Sequence, residues 1–337
     1  VTKIITTEID RPMIPLKVGI VGTGYAAKQR VTALSEDRRV ESVLVAGNDV
    51  DRVAEFAANY SVVAIDSWQE LIQLPELDLI FVCTVNSQHG TIARAAIEAD
   101  KNVVVEYPLA LDPHEAGSIV TLAKAKHKLL HIEHIELIGG LHRAIVNYLP
   151  EIGNIFYARY ATLSGDRSVT RNWKYDRQRF GFPLAAALSR IHRLTDLFGT
   201  VSTVSCQNRY WDIADTDYFT ACLCDARLVF SNGIIADVTY GKGNIFWYPH
   251  RTFEIHGDRG TLLFEGETGT LICDRQRTAI EVVSRRGLFA KDTAMVLDNL
   301  ISGTSLYVNP NASLYALQVA ESARIASITE RIVTVSN

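Results

Sequence analysis

The sequence Gly22-Thr23-Gly24-Tyr25-Ala26-Ala27 follows directly on the apolar run Lys17-Val18-Gly19-Ile20-Val21. A G-x-G-x-x-A spacing between a buried strand and a helix suits one task. Gly22 permits the tight turn, Gly24 lets the backbone approach a pyrophosphate, and Ala27 allows helix and strand to pack closely, while the helix N-terminus offers free N–H groups to the anion. These residues, with Tyr25 and Ala26, are expected to bind a dinucleotide. The discriminating position lies at the end of the second strand, where a carboxylate would hydrogen-bond an unmodified ribose 2′-hydroxyl. Here the chain reads Ala46-Gly47-Asn48, with Asp49 and Asp51 just beyond and Arg52 within reach of a 2′-phosphate. Asn48 and Arg52 therefore point to NADPH, with NADH possible but less favoured.

A second concentration of chemistry lies between Arg159 and Arg193. Seven Arg and one Lys stand there against Asp166 and Asp176, interleaved with Tyr160, Trp173, Tyr175, Phe180 and Phe182. Guanidinium forks grip carboxylates bidentately, and aromatic rings supply stacking surface. The segment reads as a site for a flat molecule bearing carboxylates. Glu106 and Tyr107 follow the fifth strand at the carboxyl edge of a sheet, where ligands of open α/β folds gather.

The elements that must position these residues alternate between Leu16 and His131. Short β-branched runs (Lys17–Val21, Ser42–Gly47, 62–65, Leu79–Thr84, Asn102–Glu106 and Leu129–Ile132) are separated by helical stretches at Ala26–Leu34, Asp51–Asn59, Trp68–Gln73, Gly90–Ala99 and Pro113–Lys126. This is the pattern of a doubly wound parallel sheet. After His134 it changes to one helix (Gly139–Leu149) and longer alternating strands. These run over 155–163, 201–210, 218–230, 234–240, 252–256, 260–265, 269–273 and 280–284, with helices at 185–197 and 313–328. The expected architecture is an α/β chain of two domains: a Rossmann domain over residues 1–131, and an α+β domain with a large, mainly antiparallel sheet over 132–337.

Composition excludes several classes. A net charge of −4 argues against a nucleic-acid binder. No run reaches the roughly 20 apolar residues of a membrane helix, and the charges at Lys3, Glu8, Asp10 and Arg11 leave no room for a signal peptide. Five scattered cysteines form no disulfide framework. A cytoplasmic protein is expected. Cys222 and Cys224 read as small core residues rather than zinc ligands. His131 and His134, flanking Glu133, would point to opposite faces of a strand, so no metal site is expected.

Glu106-Tyr107-Pro108 and Ile152-Gly153-Asn154-Ile155 resemble the glucose-fructose oxidoreductase superfamily. That superfamily usually has Lys at the place of Tyr107, and an Asp and a His where this chain has Ser189 and Arg193, so the machinery for oxidising sugars is missing. Val105–Leu111, His131–Leu137, Phe180–Leu184 and Ser189-Arg190-Ile191 instead resemble the biliverdin reductases, most of all the cyanobacterial type. The resemblance implies an oxidoreductase of haem degradation that passes a hydride from NADPH to the C10 methine bridge of biliverdin IXα, giving bilirubin. A tetrapyrrole with two propionates matches the basic, aromatic segment. In such an enzyme Thr84, Asn86 and His89 would lie in the loop against the cofactor, with His89 also able to bond a bilin carbonyl. Glu106 would face the nicotinamide or the pyrroles, and Tyr107 would donate a hydrogen bond or form an aromatic wall. Arg190 is implied as the catalytic cation, stabilising negative charge on the bilin or relaying a proton through water. His134, Arg171, Trp173, Phe180 and Arg193 complete the expected substrate surface, with Arg193 assigned to a propionate. The other readings are a sugar or anhydrosugar reductase of the same superfamily and a non-catalytic bilin or NADPH sensor. The chain is expected to act as a monomer or weak dimer.

Overall fold

The structure is a computed structural model that describes residues 15–166 and 171–335. The charged N-terminal stretch and Arg167 of the basic segment lie outside the described residues. Six strands form the first sheet: β1 (Leu16–Val21), β2 (Val40–Ala46), β3 (Val63–Ala64), β4 (Leu79–Val82), β5 (Asn102–Val105) and β6 (Leu130–Ile132). They are parallel in the order β3-β2-β1-β4-β5-β6. Helices α1 (Tyr25–Ser35), α2 (Val50–Tyr60), α3 (Trp68–Gln73), α4 (Asn86–Glu98) and α5 (Pro113–Ala125) connect them. Because both faces are covered, Val18, Ile20 and Val21 of β1 and all of β4 are buried, which is why these strands read as unbroken apolar runs. The strand order reverses between β1 and β4, so the connections leave on opposite sides and open a crevice at the carboxyl ends.

The second half contains α6 (Gly140–Tyr148), β7 (Ile155–Gly165), the short helices α7 (Arg177–Phe180) and α8 (Pro183–Ala186), and α9 (Ser189–Phe198). It continues through β8 (Val201–Asp212), β9 (Phe219–Phe230), β10 (Ile235–Gly243), β11 (His250–Gly257), β12 (Thr261–Glu265), β13 (Thr268–Cys273), β14 (Gln276–Glu281), α10 (Leu288–Ser302), α11 (Pro310–Thr329) and β15 (Val333–Thr334). Nine strands make one sheet in the order β14-β13-β12-β11-β7-β10-β9-β8-β15. Within this sheet, among the described strands, only the β7–β10 pair is parallel. The fold is therefore the expected combination of a doubly wound parallel sheet and a mainly antiparallel one.

Four local expectations change. The helix expected over 185–197 is broken into α8 and α9 at Ala187, whose backbone leaves the helical region (ψ 34°), so the second helix starts at Ser189. The strand expected over 280–284 is β14 and begins at Gln276, because Asp274 and Arg275, both at positive φ (49° and 63°), close a two-residue hairpin from β13. α4 begins at Asn86, four residues before Gly90, so Asn86 and His89 stand on its first turn and not in a loop. Helix α10 was not anticipated. It returns to the first sheet, where Val296 and Leu297 join Val18, Ile20, Ala27, Val31 and Leu34 in one buried cluster against α1.

Candidate active site

A cleft of about 840 Å³ opens at the carboxyl edge of the parallel sheet. Its first wall is the turn after β1. Gly22 has φ +120°, and a Cβ there would lie 2.4 Å from the Cys83 carbonyl oxygen, so only glycine fits. A Cβ on Gly24 would meet nothing within 4 Å. The space beside Gly24 faces the cleft and is the cradle that a pyrophosphate requires, so these residues fit a dinucleotide. Gly22, Gly24, Tyr25 and Ala26 line the cleft, whereas Ala27 is wholly buried behind them in the packing of α1. Asn48, Arg52 and Thr84 also line it. Asn48 donates to Gln88 Oε1 (3.0 Å), and the exposed Arg52 is held, among the described residues, by Asp49 alone, 3.3 Å away on the same turn.

At the inner end, Glu106 and Tyr107 are joined by Glu133 and Glu136. Glu106 Oε1 accepts from Arg30 Nη2 (3.1 Å) and Nε (3.3 Å). Arg30, on α1, is fully buried and also bonds Asp292 of α10 and Thr293 Oγ1 (3.0 Å), with its guanidinium between the rings of Phe81 and Phe289. Asp292 accepts in turn from Tyr307 (2.7 Å) and pairs with His131 Nε2 (2.8 Å). Glu133 has no cation within 4.0 Å among the described residues and accepts from the Ile135 N–H (2.6 Å). Burial, then the neighbouring charges of Glu106 and Asp292, push its carboxyl well above the usual range, which favours the protonated form. Arg30 thus anchors Glu106 and Asp292, while Glu133 stands beside them without an ion pair of its own among the described residues.

Tyr107 is largely buried, its ring stacked on His134 at 5.2 Å, and its hydroxyl donates to Ser189 Oγ (3.3 Å). The same oxygen accepts from Arg190 Nη1 (3.0 Å). One serine therefore links Tyr107 to Arg190. Among the described residues no carboxylate lies within 4.0 Å of Arg190, whose side chain instead faces the ring of Tyr240 at 5.4 Å. Trp173 lines the cleft and Arg171 is exposed.

Several residues expected at the ligand are interior and are corrected here. His89 lines the cleft with only 1% of its surface exposed, its Nδ1 2.8 Å from the Pro108 carbonyl and its Nε2 3.2 Å from that of Thr84, so its ring is oriented by the backbone rather than toward a bilin. His134 is wholly buried and paired with Ser313 Oγ (2.8 Å). Phe180 packs beneath the cleft against Phe219. Arg193, 1% exposed, binds Tyr160 OH (3.0 Å) and Glu136 (2.9 Å) and cannot hold a propionate while so paired. Asn86 borders the cleft but donates to Phe180 O (2.9 Å). Glu133, Glu136, Arg285 and Phe289 also line the cleft, although sequence reasoning gave them no role. Glu133 and Glu136 were within its reach, since they follow the sixth strand at the same carboxyl edge as Glu106. Arg285 and Phe289 carried no local signal.

Comparison with known proteins agrees with this geometry. Residues 16–134 match the family model described as an oxidoreductase family with an NAD-binding Rossmann fold, and residues 150–335 match that family's C-terminal alpha/beta domain. Biliverdin reductase A of Mus musculus is 28% identical over 188 residues, which cover 56% of this chain and 60% of that protein. The Homo sapiens protein of the same name is 27% identical, with the same coverage. The match thus spans about three fifths of each of these curated relatives. Biliverdin reductase from Synechocystis sp. PCC 6803, solved with biliverdin and NADP+, is 52% identical, covers 93% of this chain and 99% of its own, and superposes with a TM-score of 0.91. Levoglucosan dehydrogenase shares the fold at 18% identity (TM-score 0.84, covering 96% of this chain and 100% of its own). With both halves matched, this chain belongs to the GFO/IDH/MocA oxidoreductase family.

Proposed function

We propose that this oxidoreductase is a biliverdin reductase that uses NADPH to convert biliverdin to bilirubin. The observation that carries the reading is the 52% identity, spread over 93% of the chain, to a biliverdin reductase that binds biliverdin and NADP+. Gly22, Gly24, Tyr25, Ala26 and Thr84 would hold the cofactor, with Asn48 and Arg52 at its 2′-phosphate. When bound, the nicotinamide supplies the hydride that C10 of biliverdin accepts.

The chain's own residues supply orientation and charge. Glu106, anchored by Arg30, is a fixed anion at the inner end of the cleft. Arg190 stands in the opposite role, as a cation with hydroxyl and aromatic neighbours but no carboxylate within 4.0 Å among the described residues. Arg190 is not itself among the residues lining the cleft but stands behind Tyr107, one shared serine oxygen away, and from there its charge would stabilise negative charge developing on the pyrroles. Tyr107 and Ser189 hold the guanidinium in place through one shared oxygen. Trp173 offers a face for stacking. Arg171, on the exposed side, is available to a propionate. The domain division at residue 131 remains our assignment. No described helix is long and apolar enough to cross a membrane, and five free cysteines fit a reducing compartment. We assign the enzyme to the cytoplasm as a monomer or weak dimer that binds no nucleic acid.

Absorbance tests the reading. Protein mixed with biliverdin and NADPH should bleach the red band, raise the blue band of bilirubin and consume NADPH in equal amount, faster than with NADH. A spectral shift without NADPH consumption would make the protein a bilin sensor, and oxidation of an anhydrosugar without turnover of biliverdin would make it a sugar dehydrogenase.

A further inference from the structure

Lys242, on β10, is 7% exposed and has no carboxylate within 4.0 Å among the described residues. Its ammonium is enclosed by aromatic faces: the ring centroid of Phe180 lies 3.6 Å away, that of Tyr175 4.3 Å and that of Phe219 5.5 Å. Nζ also donates to the carbonyl oxygen of Lys174. A buried ammonium is costly, and aromatic faces with a carbonyl are the partners that make it tolerable. Three of these four partners, Lys174, Tyr175 and Phe180, belong to one short segment. That segment carries Trp173 and Lys174 into the cleft, and Asn86 of the cofactor side bonds its last carbonyl, at Phe180 (2.9 Å).

We propose that Lys242 is a positioning residue: it pins the Asn172–Phe180 segment from below, so that Trp173 and Lys174 form a fixed wall of the cleft against which the flat substrate stacks. The side chain never reaches the cleft itself and acts only through the segment that it holds. Its substrate rests on the biliverdin reading, but the pinning does not. The groups that face Lys242 are Cys222 of β9, Lys174, Asp166 and Tyr175; burial outweighs Cys222 and Asp166 and pulls the ammonium down to about 8. The pin therefore weakens as pH rises through that value, when the cation is lost.

Lys242→Met keeps the volume and removes the charge. Because an apolar side chain replaces a buried ammonium, the variant should melt no lower than wild type. If the pin acts as described, hydrogen–deuterium exchange over residues 172–180 should be about tenfold faster and KM for biliverdin about tenfold higher, with NADPH affinity within about twofold. Lys242→Arg should restore both readouts and move the alkaline fall of kcat/KM from near pH 8 to beyond the measurable range. Phe180→Leu, which removes the nearest ring, should mimic Lys242→Met and serves if that variant folds poorly. Unchanged exchange in the segment for both variants overturns the proposal, and so does a loss of stability with kinetics per folded molecule unaltered. A wild type that does not reduce biliverdin would overturn the substrate reading alone, since the exchange measurement needs no substrate.

Discussion

Replacing Asp292 by Asn probes the contact that closes the cofactor side of the molecule. Asp292 is wholly buried, and its two oxygens are divided: Oδ2 meets Arg30, while Oδ1 accepts from Tyr307 (2.7 Å) and pairs with His131 (2.8 Å). An amide satisfies one side only and turns N–H groups toward the other, where donors already point. Arg30 keeps Glu106 as partner, so the cost falls toward the lower end of the range for breaking a buried pair, about 3 kcal/mol. Burial alone would raise Asp292, but Arg30 and then His131 overrule it and hold the carboxyl far below the usual range. A depressed carboxylate contributes stability above its unfolded pKa of about 4, lost as pH falls further, so the deficit of Asp292→Asn should be constant near neutrality and shrink in acid. Urea unfolding of Asp292→Asn, Arg30→Met and the double variant measures this at several pH values. The double variant should cost at least about 2 kcal/mol less than the sum of the singles. A deficit below about 1 kcal/mol, or additivity, would refute the argument and leave Val296 and Leu297 as the contacts that hold α10 to α1.

Gly24→Val should weaken NADPH binding more than about a hundredfold with the melting temperature unchanged, since a side chain there meets only the cleft, whereas Gly22→Ala should destabilise the fold itself; calorimetry and cofactor titration separate the two. Arg190→Ala should lower kcat by about 10²–10³ with NADPH affinity intact, and full kcat in a single-turnover assay would transfer the catalytic role to Tyr107 or Glu133. Burial, only partly offset by Asp196, pulls His192 down to about 4. The unfolded chain therefore takes up a proton at this histidine that the folded one refuses, which removes about 3 kcal/mol of stability as pH drops from about 6.5 to 4, in addition to the losses from the buried His134 and His89, which are also shifted down. His192→Phe should reduce the slope of that part of the urea-midpoint profile, with the remainder left to His134 and His89, and an unchanged profile would place the acid sensitivity elsewhere.

Much of the site was legible because its signals are local. The Gly22-x-Gly24-x-x-Ala27 spacing follows from the turn that joins one strand to one helix, and continuous Val and Ile follow from strands buried on both faces, so neither needs knowledge of distant residues. The absence of a carboxylate at Gly47-Asn48 and the placing of Glu106-Tyr107 at the carboxyl edge were equally visible, since each occupies a place fixed by its own strand end.

What the chain could not announce were the pairings between distant segments. Arg30 and Asp292 are 262 positions apart, and a buried arginine on α1 reads in sequence as an ordinary surface one until α10 returns to cover it. Arg190 and Arg193 stand one turn apart on α9 and look equivalent. Only the packing of Glu136 and Tyr160 against one of them turns it into an internal brace, leaving the other with no carboxylate within 4.0 Å among the described residues. Lys242 likewise looks like an exposed strand residue until the aromatic segment folds over it. Local steric and hydrogen-bond rules set the strands, the turn and the cofactor cradle; the burial of a charge is a property of whatever closes over it, and that was decided by the tertiary fold.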